Sequence, residues 1–559
     1  MQKFTSNFFS TVIIISLTIL ASNAQTIIWA KNYGGGKKDK GRDIGVDSIG
    51  NSYITGFFTD SVMFDNFTLN TVGDTTDEDI FVLKLDVDGN ALWAHSMGNG
   101  ISEHSDFPFG FSVNSSGYSV ITGDCENYLL TDDGINIPGI GNKDIFIALY
   151  DPQGNLQWVK VGGGAGIDRG TGAFIDDDGK IYCTGNTVGS FNIFGDYDYV
   201  DSTLSHHVYV AQYDLDGALE WQRIYTSQTN FESRDITADT DSTLYTGGNF
   251  SDVISLDDST FSAIGSEDGW LLKLNKNDGS FKWAKTFGSN DPASNESAYA
   301  IALDTFGNFY VTTVFNNDIL FDGNITSTGA EHNIAVACFN PDGNYSWTNV
   351  IKGGTTGNFS VFCLGLLAED YVILTGCFAG SDTVGTDGGI VITPYGDSTY
   401  SDAFIAAFDP ATGTAAWATH MGGESTDAGY GIAGNHTGTG YAAGNFRIEG
   451  TFGPFDLVSD GISDVYVIKF YQALALSTTD LSGNTVTAYP NPTNGEFSVM
   501  IPDEANSLKI INAFGQIVRA EKVDALKMKM ISMEQFLPGV YFLQFSSKDA
   551  SYFAKVVKQ

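Results

Sequence analysis

Short segments of alternating apolar and polar residues recur along most of the chain, separated by turns rich in Asp, Asn and Gly. Between residues 41 and 98 there are four such segments, at 42–47, 52–58, 79–86 and 91–98. Their β-branched and aromatic content predicts strands, and the turns SIGN and VDGN predict hairpins. Two hairpins joined by a longer variable segment make a unit of four antiparallel strands.

This unit is repeated along the chain. Thr-Gly closes the second strand at 55–56, 122–123, 184–185, 246–247 and 375–376, and the third strand DIFVLKLD returns in forms such as DIFIALYD, HVYVAQYD and DAFIAAFD. A four-stranded unit at a fixed period predicts an all-β propeller. Tryptophan marks the fourth strand at nearly equal intervals, at Trp29, Trp93, Trp158, Trp221, Trp283, Trp347 and Trp417.

The order of the strands predicts how the propeller closes. There are seven sets of the first three strands and seven tryptophan strands, but the first tryptophan strand, 27–34, precedes every other strand. The last set ends at Tyr471 with no tryptophan strand after it. A ring in which the N-terminal strand completes the last blade leaves no open sheet edge. We therefore expect a seven-bladed β-propeller at residues 25–471, closed by the N-terminal strand.

The repeat resembles the bacterial secreted β-propeller repeat of the SBBP type. The motifs that carry the resemblance are YGGG at 33–36, DSIGNSYITGFF at 47–58 and DTFGNFYVT at 304–312. The resemblance implies a propeller fold and names no ligand.

The N-terminus has the pattern of a secretory signal peptide. Lys3 is followed by an apolar run at 8–20 and by small residues, which predicts a signal peptide at 1–24 with cleavage between Ala24 and Gln25. No later apolar stretch is long enough to span a membrane, so we expect no transmembrane segment.

Charge is distributed unevenly along the chain. The formal net charge is −39, yet from Thr478 onward acidic and basic residues balance at eight each. This change places a linker at 472–484 and a second domain at 485–559. The acidity of the large domain excludes nucleic acid as a partner.

The pattern of the second domain predicts a small Ig-like β-sandwich. Its turn and strand-end residues include Tyr489, Pro490, Asn491, Pro492, Gly495, Gly515, Pro538, Gly539, Tyr541, Lys555 and Lys558. By these residues it resembles the type A sorting domain of the type IX secretion system of Bacteroidetes. The resemblance implies type IX secretion machinery as a partner, removal of this domain, and release or attachment at the outer cell surface.

The turns before the tryptophans contain a partial metal-loop pattern. At 86–89 and 214–217 two carboxylates stand two residues apart, as in calcium loops. These turns are too short for a full set of oxygen ligands, so we interpret Asp as a turn cap and Gly as a positive-φ residue. We expect no cofactor and no metal ligands, with calcium kept as the alternative.

Two further motifs bear on enzyme classes. Residues 406–417 resemble the tryptophan-docking repeat of quinoprotein dehydrogenases, but the chain lacks the adjacent cysteine pair that the quinone site implies. The Asp-Gly turns resemble the Asp-box of sialidases, which implies an arginine cluster. Arginines recur beside acidic residues at the start of three blades, and we interpret them as blade-to-blade ion pairs or surface charges: Arg42 with Asp43, Arg169 with Asp168, and Arg234 with Asp235.

The five cysteines have no CxxC spacing and predict neither a disulfide framework nor a zinc site. Cys363 and Cys377 flank one predicted turn and are the pair that we consider for a disulfide bond.

No catalytic constellation emerges, so we expect a monomeric, non-enzymatic binding or adhesion protein that recognises a glycan or a protein outside the cell. The alternative is a propeller glycoside hydrolase or polysaccharide lyase. Loops on a rigid scaffold commonly carry recognition, which places the ligand site on the face of the second-to-third-strand connections, 59–78, 124–143, 188–206, 251–268, 316–332, 379–401 and 447–463. The candidate ligand-stacking aromatics there are Phe64, Phe67, Tyr128, Tyr197, Tyr199 and Tyr395.

Overall fold

The computed structural model describes residues 25–558 except 74, 101–104, 240–241, 292–293, 330–331, 354–359, 369–370, 386–388, 397–398, 436–437, 473–483, 487, 492, 494, 503–504, 513–516, 525–527, 534, 537–538 and 548–550. The predicted signal peptide and most of the predicted linker lie outside these residues. Every regular element among the described residues is a β-strand, which confirms the all-β class. No helix in this part of the chain has the length and apolar character of a membrane span.

Among the described residues before 473 there are forty strands. They are β1 (Gln25–Tyr33), β2 (Asp39–Val46), β3 (Ser52–Thr59), β4 (Ser61–Phe64), β5 (Phe67–Asn70), β6 (Glu78–Leu85), β7 (Ala91–Gly98), β8 (Phe107–Val113), β9 (Ser119–Thr131), β10 (Asn136–Tyr150), β11 (Leu156–Gly164), β12 (Arg169–Ile175), β13 (Ile181–Val188), β14 (Phe191–Ile193), β15 (Tyr197–Tyr199), β16 (His206–Tyr213), β17 (Leu219–Ser227), β18 (Phe231–Ala238), β19 (Thr243–Phe250), β20 (Val253–Leu256), β21 (Ser259–Ser262), β22 (Asp268–Asn275), β23 (Phe281–Gly288), β24 (Ala300–Leu303), β25 (Phe309–Phe315), β26 (Asp318–Phe321), β27 (Asn324–Ser327), β28 (Asn333–Phe339), β29 (Tyr345–Lys352), β30 (Ser360–Leu367), β31 (Tyr371–Phe378), β32 (Asp382–Val384), β33 (Ile390–Ile392), β34 (Asp402–Phe408), β35 (Ala415–Met421), β36 (Ala428–Gly434), β37 (Thr439–Phe446), β38 (Glu449–Phe452), β39 (Phe455–Val458) and β40 (Asp464–Gln472).

These strands form a repeating antiparallel unit of four, in which each strand pairs with the next along the unit. In the described residues the units are β2-β3-β6-β7, β8-β9-β10-β11, β12-β13-β16-β17, β18-β19-β22-β23, β24-β25-β28-β29, β30-β31-β34-β35 and β36-β37-β40-β1. In the last unit the fourth strand is the N-terminal one, and Trp29 on β1 lies opposite Lys469 on β40. The first strands contact one another in the order β2, β8, β12, β18, β24, β30, β36 and back to β2. They are therefore the inner strands of the arrangement.

The tryptophan of one unit packs on the turn between the third and fourth strands of the next unit. Trp93 donates its indole N–H to the carbonyl oxygen of Pro152 at 3.3 Å, and Gly154 lies beneath the ring. A Cβ at Gly154 would stand 2.8 Å from that ring, and its φ of 89° is in the left-handed region. The same contact joins Trp29 to Gly89, Trp158 to Gly217, Trp221 to Gly279, Trp283 to Gly343 and Trp347 to Gly413. The spaced Gly and Trp of the sequence repeat thus form the joint between neighbouring units.

The variable connections between second and third strands are mostly not open loops. Each contains a β-hairpin or an extension of the two flanking strands, such as β4-β5, β26-β27 and the far ends of β9 and β10. Several of these hairpins pair with the fourth strand of the preceding unit, as β14 does with β11, β26 with β23 and β32 with β29. They therefore fasten one unit to the next.

An aspartate at the start of the third strand holds the end of this hairpin connection. Asp402 accepts a hydrogen bond from the backbone N–H of Tyr395 at 2.7 Å, and Asp144 does the same for Ile140. The aspartates at this position in the units also require glycine in the segment that connects one unit to the next. A Cβ at Gly34 would stand 2.3 Å from Cγ of Asp464, which gives the Gly-rich joint a steric cause.

The C-terminal region contains two sheets, one of order β41-β48-β47-β44-β45 and one of order β42-β43-β46. Phe497 and Val499 from the smaller sheet share one buried core with Leu508 and Leu543 from the larger. The strands are β41 (Asn484–Thr485), β42 (Ala488–Tyr489), β43 (Glu496–Met500), β44 (Ser507–Asn512), β45 (Ile517–Lys522), β46 (Met528–Ser532), β47 (Gly539–Ser546) and β48 (Ser551–Lys558).

Candidate functional site

Six inner strands carry a β-bulge at the same place. The register shifts between Gly41 and Asp43, and equivalent shifts occur in β8, β12, β18, β30 and β36. A bulge places an extra residue in one strand and re-aims its side chain. The residues skipped by these shifts are Arg42, Phe109, Thr171, Arg234, Phe362 and Tyr430, and Tyr299 stands at the same spacing just before β24. We call these seven residues the bulge ring.

All seven bulge-ring residues line one cavity of about 300 Å³ on the axis of the inner strands. Phe362 is exposed, whereas Arg42, Arg234, Tyr299 and Tyr430 are half-buried. The bulges lie toward the start of the inner strands. The cavity is therefore nearer the face that carries the glycine-rich connections between units and the hairpin connections.

The guanidinium of Arg42 lies among aromatic rings. Its Cζ is 5.2 Å from the ring centroid of Tyr430, 5.8 Å from that of Phe109 and 5.9 Å from that of Phe57. Such contacts stabilise a cation through the ring quadrupole. Burial lowers the pKa of Arg42, and Tyr430, Asp124 and Glu78 oppose this shift. Among the described residues, no carboxylate lies within ion-pair distance of this guanidinium.

The guanidinium of Arg234, the second one in the bulge ring, is held by three neighbouring side chains. It forms an ion pair with Glu232 at 2.8 Å, donates to Oδ1 of Asn249 at 3.2 Å, and stands 6.0 Å from the ring of Tyr299. On another part of the ring, Phe362 and Tyr430 lie 4.6 Å apart between centroids. The cavity thus combines two cations with exposed aromatic faces.

Two carboxyl groups line the cavity beside the guanidiniums. Asp43 accepts from the backbone N–H of Ile44 at 2.8 Å, and Asp235 accepts from those of Ile236 and Ile301, each at 2.7 Å. Burial raises the pKa of Asp43 to about 8 and that of Asp235 to about 6, and the Asp235 charge adds to the shift at Asp43. Both carboxyls are therefore protonated in mildly acidic solution.

A second cavity, of about 450 Å³, opens toward the other end of the inner strands and has the opposite charge. Its lining includes Asp47, Asp177 and Asp178, together with Asp176, which forms an ion pair with Lys276 at 3.2 Å. The axis is thus acidic at one end, and the cations of the bulge ring lie toward the other.

The arginines singled out from the sequence do not form one set. Arg169 lies one residue after Asp168 rather than before an aspartate, and it forms an ion pair with Asp124 on β9 of the preceding unit at 3.1 Å, as predicted for a blade-to-blade pair. For Arg42 the prediction is wrong, because its side chain points at aromatic rings in the axial cavity. Sequence reasoning also missed the aromatic members of the bulge ring. The available signal was a spacing of five residues before the Asp or Asn of the first turn, as in Arg42 to Asp47 and Phe109 to Asn114.

The predicted ligand-stacking aromatics are spread over the hairpin connections. Phe64 is fully buried, so its predicted exposure is wrong, and Phe67 and Tyr199 are half-buried. Tyr128 is half-buried and accepts a hydrogen bond from the N–H of Gly100. Tyr197 and Tyr395 are exposed. Phe64 and Phe67 lie in one unit, Tyr197 and Tyr199 lie in another, and none of the six residues lines the bulge-ring cavity.

The turns with the partial calcium pattern use their carboxylates internally. Oδ1 of Asp86 accepts from the backbone N–H groups of Asp88 and Asn90, and Oδ2 accepts from the side-chain amide of Asn90. This is the turn-cap arrangement. The predicted Cys363–Cys377 disulfide is wrong: both thiols are free, and in the strand pairing Cys363 lies opposite Thr375.

In the C-terminal region, the predicted sorting residues tie the first turn to the last strand. The side-chain amide of Asn491 donates to the carbonyl oxygen of Lys555 at 2.5 Å, and its oxygen accepts from the N–H of Val557. Lys558 is buried and donates to the carbonyl oxygen of Met533. Tyr541 is buried, whereas Tyr489, Pro490 and Lys555 are exposed. Gly495 and Gly539 border strands, and Pro492, Gly515 and Pro538 lie outside the described residues.

This region defines a class of exported protein. Residues 487–559 match the family model described as "Secretion system C-terminal sorting domain". The chain therefore carries a sorting domain of the type IX secretion system, and it is delivered to the outside of the cell or to its outer surface.

The larger region has distant relatives. It is 25% identical over 237 residues to an uncharacterized WD repeat-containing protein of Acanthamoeba polyphaga mimivirus, a match that covers 36% of this chain and 16% of that protein. Similar solved structures include a quinohemoprotein alcohol dehydrogenase from Comamonas testosteroni, at 11% identity and a TM-score of 0.37 over 80% of this chain and 76% of that one. Virginiamycin B lyase from Staphylococcus aureus has the same identity and TM-score over 78% and 98% of the two chains. At these scores the likenesses to solved structures carry no conclusion about activity.

Proposed function

We propose that residues 25–471 form a closed seven-bladed β-propeller that acts as a ligand-binding protein outside the cell, with its binding site in the bulge-ring cavity. The cyclic contacts of the inner strands and the pairing of β1 with β40 support the closed ring. The observation that carries the binding role is the convergence of the seven bulge-ring residues, six of them at β-bulges, on one axial cavity. Ligand sites are typically concave, mainly apolar and equipped with a few polar groups.

The repeated bulge explains why a scaffold protein can bind selectively. Every unit supplies one side chain to the same ring, while the strands that hold the ring are fixed by the tryptophan joints. Substituting a bulge residue changes the site and leaves the tryptophan–glycine contacts between units in place. The proposed protein is monomeric and uses no cofactor, and its ligand is a glycan or a protein.

One observation favours an enzymatic alternative, a glycoside hydrolase or polysaccharide lyase. Asp43 and Asp235 line the same cavity and have raised pKa values of about 8 and about 6. Groups of this kind occur at catalytic sites because a carboxyl that stays protonated near neutral pH can act as an acid. Buried carboxyls between packed inner strands have the same property without catalysis, so we rank this alternative second.

The experiment that separates the two uses the secreted protein on a glycan array, with assays for reducing-end release and for unsaturated products in parallel. We expect binding without turnover. Turnover that disappears in the D43N/D235N double variant, with an unchanged melting temperature, would establish the enzyme instead. Binding that survives every bulge-ring substitution and is lost on substituting Tyr197 or Tyr395 would return the site to the hairpin connections. Binding that is lost only on substituting Asp88 or Asp216 would place the ligand site on the opposite face.

A further inference from the structure

We infer that the bulge-ring cavity binds an anionic sugar, a hexuronate residue of a polysaccharide, with Arg42 receiving the carboxylate and Phe362 and Tyr430 receiving the sugar ring. This inference rests on the proposed function and specifies its ligand. It is carried by the charge around the cavity, by the state of Arg42 and by the arrangement of the aromatic rings.

The charge at this mouth opposes the charge of the whole protein. The formal net charge is −39, yet Lys38, Arg42 and Arg447 all act on Lys40. Burial and then these three cations lower the pKa of Lys40 to about 8, and Glu78 opposes the shift. Lys40 also lies 5.6 Å from the ring of Tyr430. Lys38 pairs with Glu78, whereas the described residues show no ion pair for Lys40 or Arg42, and a negatively charged ligand relieves the repulsion between these two cations.

Arg42 has donors to offer. A guanidinium has five N–H donors in a planar fork that fits a carboxylate with two parallel bonds. The described contacts of Arg42 are ring faces, which accept no conventional hydrogen bond, whereas Arg169 and Arg234 already pair with Asp124 and Glu232. Of these three arginines, Arg42 is therefore the one available for a ligand carboxylate.

The aromatic rings favour a sugar over an acidic peptide. Phe362 and Tyr430 form a tilted pair with centroids 4.6 Å apart, and Phe362 is exposed. The C–H face of a pyranose stacks on such rings, while its hydroxyl groups donate to acceptors such as the carboxyls of Asp43 and Asp235 on the cavity wall. A cavity of about 300 Å³ lies at the small end of ligand sites and suits one or two sugar units better than a folded or extended peptide.

The test is calorimetric titration of the secreted protein with a digalacturonate, with a neutral digalactoside, with a tetraglutamate peptide and with inorganic sulfate. We expect the digalacturonate to bind about 10- to 100-fold more tightly than the neutral sugar, the range of a charge-assisted hydrogen-bonded pair. R42Q should lose this preference, and F362A should weaken both sugars. R223Q is the matched control, because Arg223 lies on the outer strand β17 and donates to the carbonyl oxygen of Gly279.

Several results would overturn the inference. They are unchanged digalacturonate affinity in R42Q, equal affinity for the neutral sugar, no binding of the digalacturonate at all, or tighter binding of the peptide or of sulfate. Circular dichroism of each variant separates loss of folding from loss of the site, and F362A changes a side chain that is exposed. If the array detects another ligand whose binding R42Q leaves intact, the inference fails while the binding function stands. If the array detects no ligand, the proposed function fails as well.

Discussion

The indole N–H of Trp29 donates to the carbonyl oxygen of Val87 at 3.2 Å, and the face of its ring covers Gly89. Trp29 belongs to the N-terminal strand of the last unit, whereas Val87 and Gly89 belong to the turn of the first. The contact therefore joins the two ends of the repeat array by the same geometry that joins neighbours within it. Tyr441 of the last unit completes the joint, with its ring 6.2 Å from Trp29 and its hydroxyl donating to the carbonyl oxygen of Gly50.

Removing this closing strand should damage the whole array. Deletion of residues 25–34 leaves an unpaired edge on β40 and removes Trp29. Trp29 is half-buried, so the loss of its side chain alone costs less than the roughly 3–5 kcal/mol of a fully buried tryptophan. We expect aggregation or a broad, non-cooperative thermal transition by circular dichroism and size-exclusion chromatography. A deletion variant that melts at the temperature of the parent would contradict ring closure.

The turn glycines can be tested for packing separately from backbone strain. Gly413 has a φ of 71°, and a Cβ there would stand 2.4 Å from Trp347, whereas Gly323 has a φ of 83° and open space around it. G323A should cost about 1–2 kcal/mol of unfolding free energy from the left-handed backbone alone. G413A should cost clearly more, because Trp347 must move as well. Equal losses in urea denaturation would show that the tryptophan contact contributes nothing.

Stability should fall as pH rises from about 4 to about 8. Burial raises the pKa of Asp39 and Glu296 to about 8 and that of Asp402 and Asp427 to about 7, while an unfolded aspartate titrates near about 3.9. Between these values the folded state binds more protons than the unfolded state, so the unfolding free energy decreases with pH. The contribution is complete below the unfolded pKa and is lost as pH passes through the folded pKa.

The measurement is urea denaturation at intervals across this pH range. D402N removes one titrating group and keeps an oxygen that can accept from the N–H of Tyr395, so its stability should fall less steeply with pH than that of the parent. Stability that rises toward pH 8 in the parent would refute the assignment.

The same linkage applies to the ligand. Because Asp43 and Asp235 line the cavity with Arg42, Arg234, Cys363, Tyr299 and Tyr430, their ionisation adds negative charge beside the proposed carboxylate site. Digalacturonate affinity should therefore decrease between about pH 6 and about pH 8, the range of the raised pKa values. In D43N/D235N this decrease should flatten. An affinity that increases with pH would contradict the placement of the ligand carboxylate.

Export should depend on the C-terminal region. Truncation after Tyr471 is expected to leave the repeat array folded but retained in the periplasm, because the segment that matches the sorting family is gone. Cell fractionation and protease protection give the location, with the full chain expressed in the same strain as the control. Delivery of the truncated protein to the medium or the cell surface would show that sorting does not require residues 487–559.

The repeat could be recognised in the sequence because each recurring residue has a role within its own unit or in the contact with the next unit. Gly89 is needed for a positive φ, Asp86 for capping the turn, and Trp93 for covering the next turn. Roles of this kind require the same residue in every unit, so the repeat period is visible in the sequence. The strand pairing of β1 with β40 followed from counting strands, since an unpaired edge is unfavourable.

Tertiary structure alone decided which residues meet. Phe64 lies in a hairpin that packs into the core rather than in an open loop, because hairpins such as β14 and β26 add to the preceding unit and bury their apolar sides. The bulge ring cannot be recognised as a sequence motif. Its members are Arg, Phe, Thr and Tyr, because the position does not require one residue type in every unit. The contacts between successive inner strands bring positions about sixty residues apart in sequence onto one axis. The sequence by itself determined the unit and its repetition, whereas only the packing of the inner strands against one another decided that Arg42, Phe109 and Tyr430 would face one cavity.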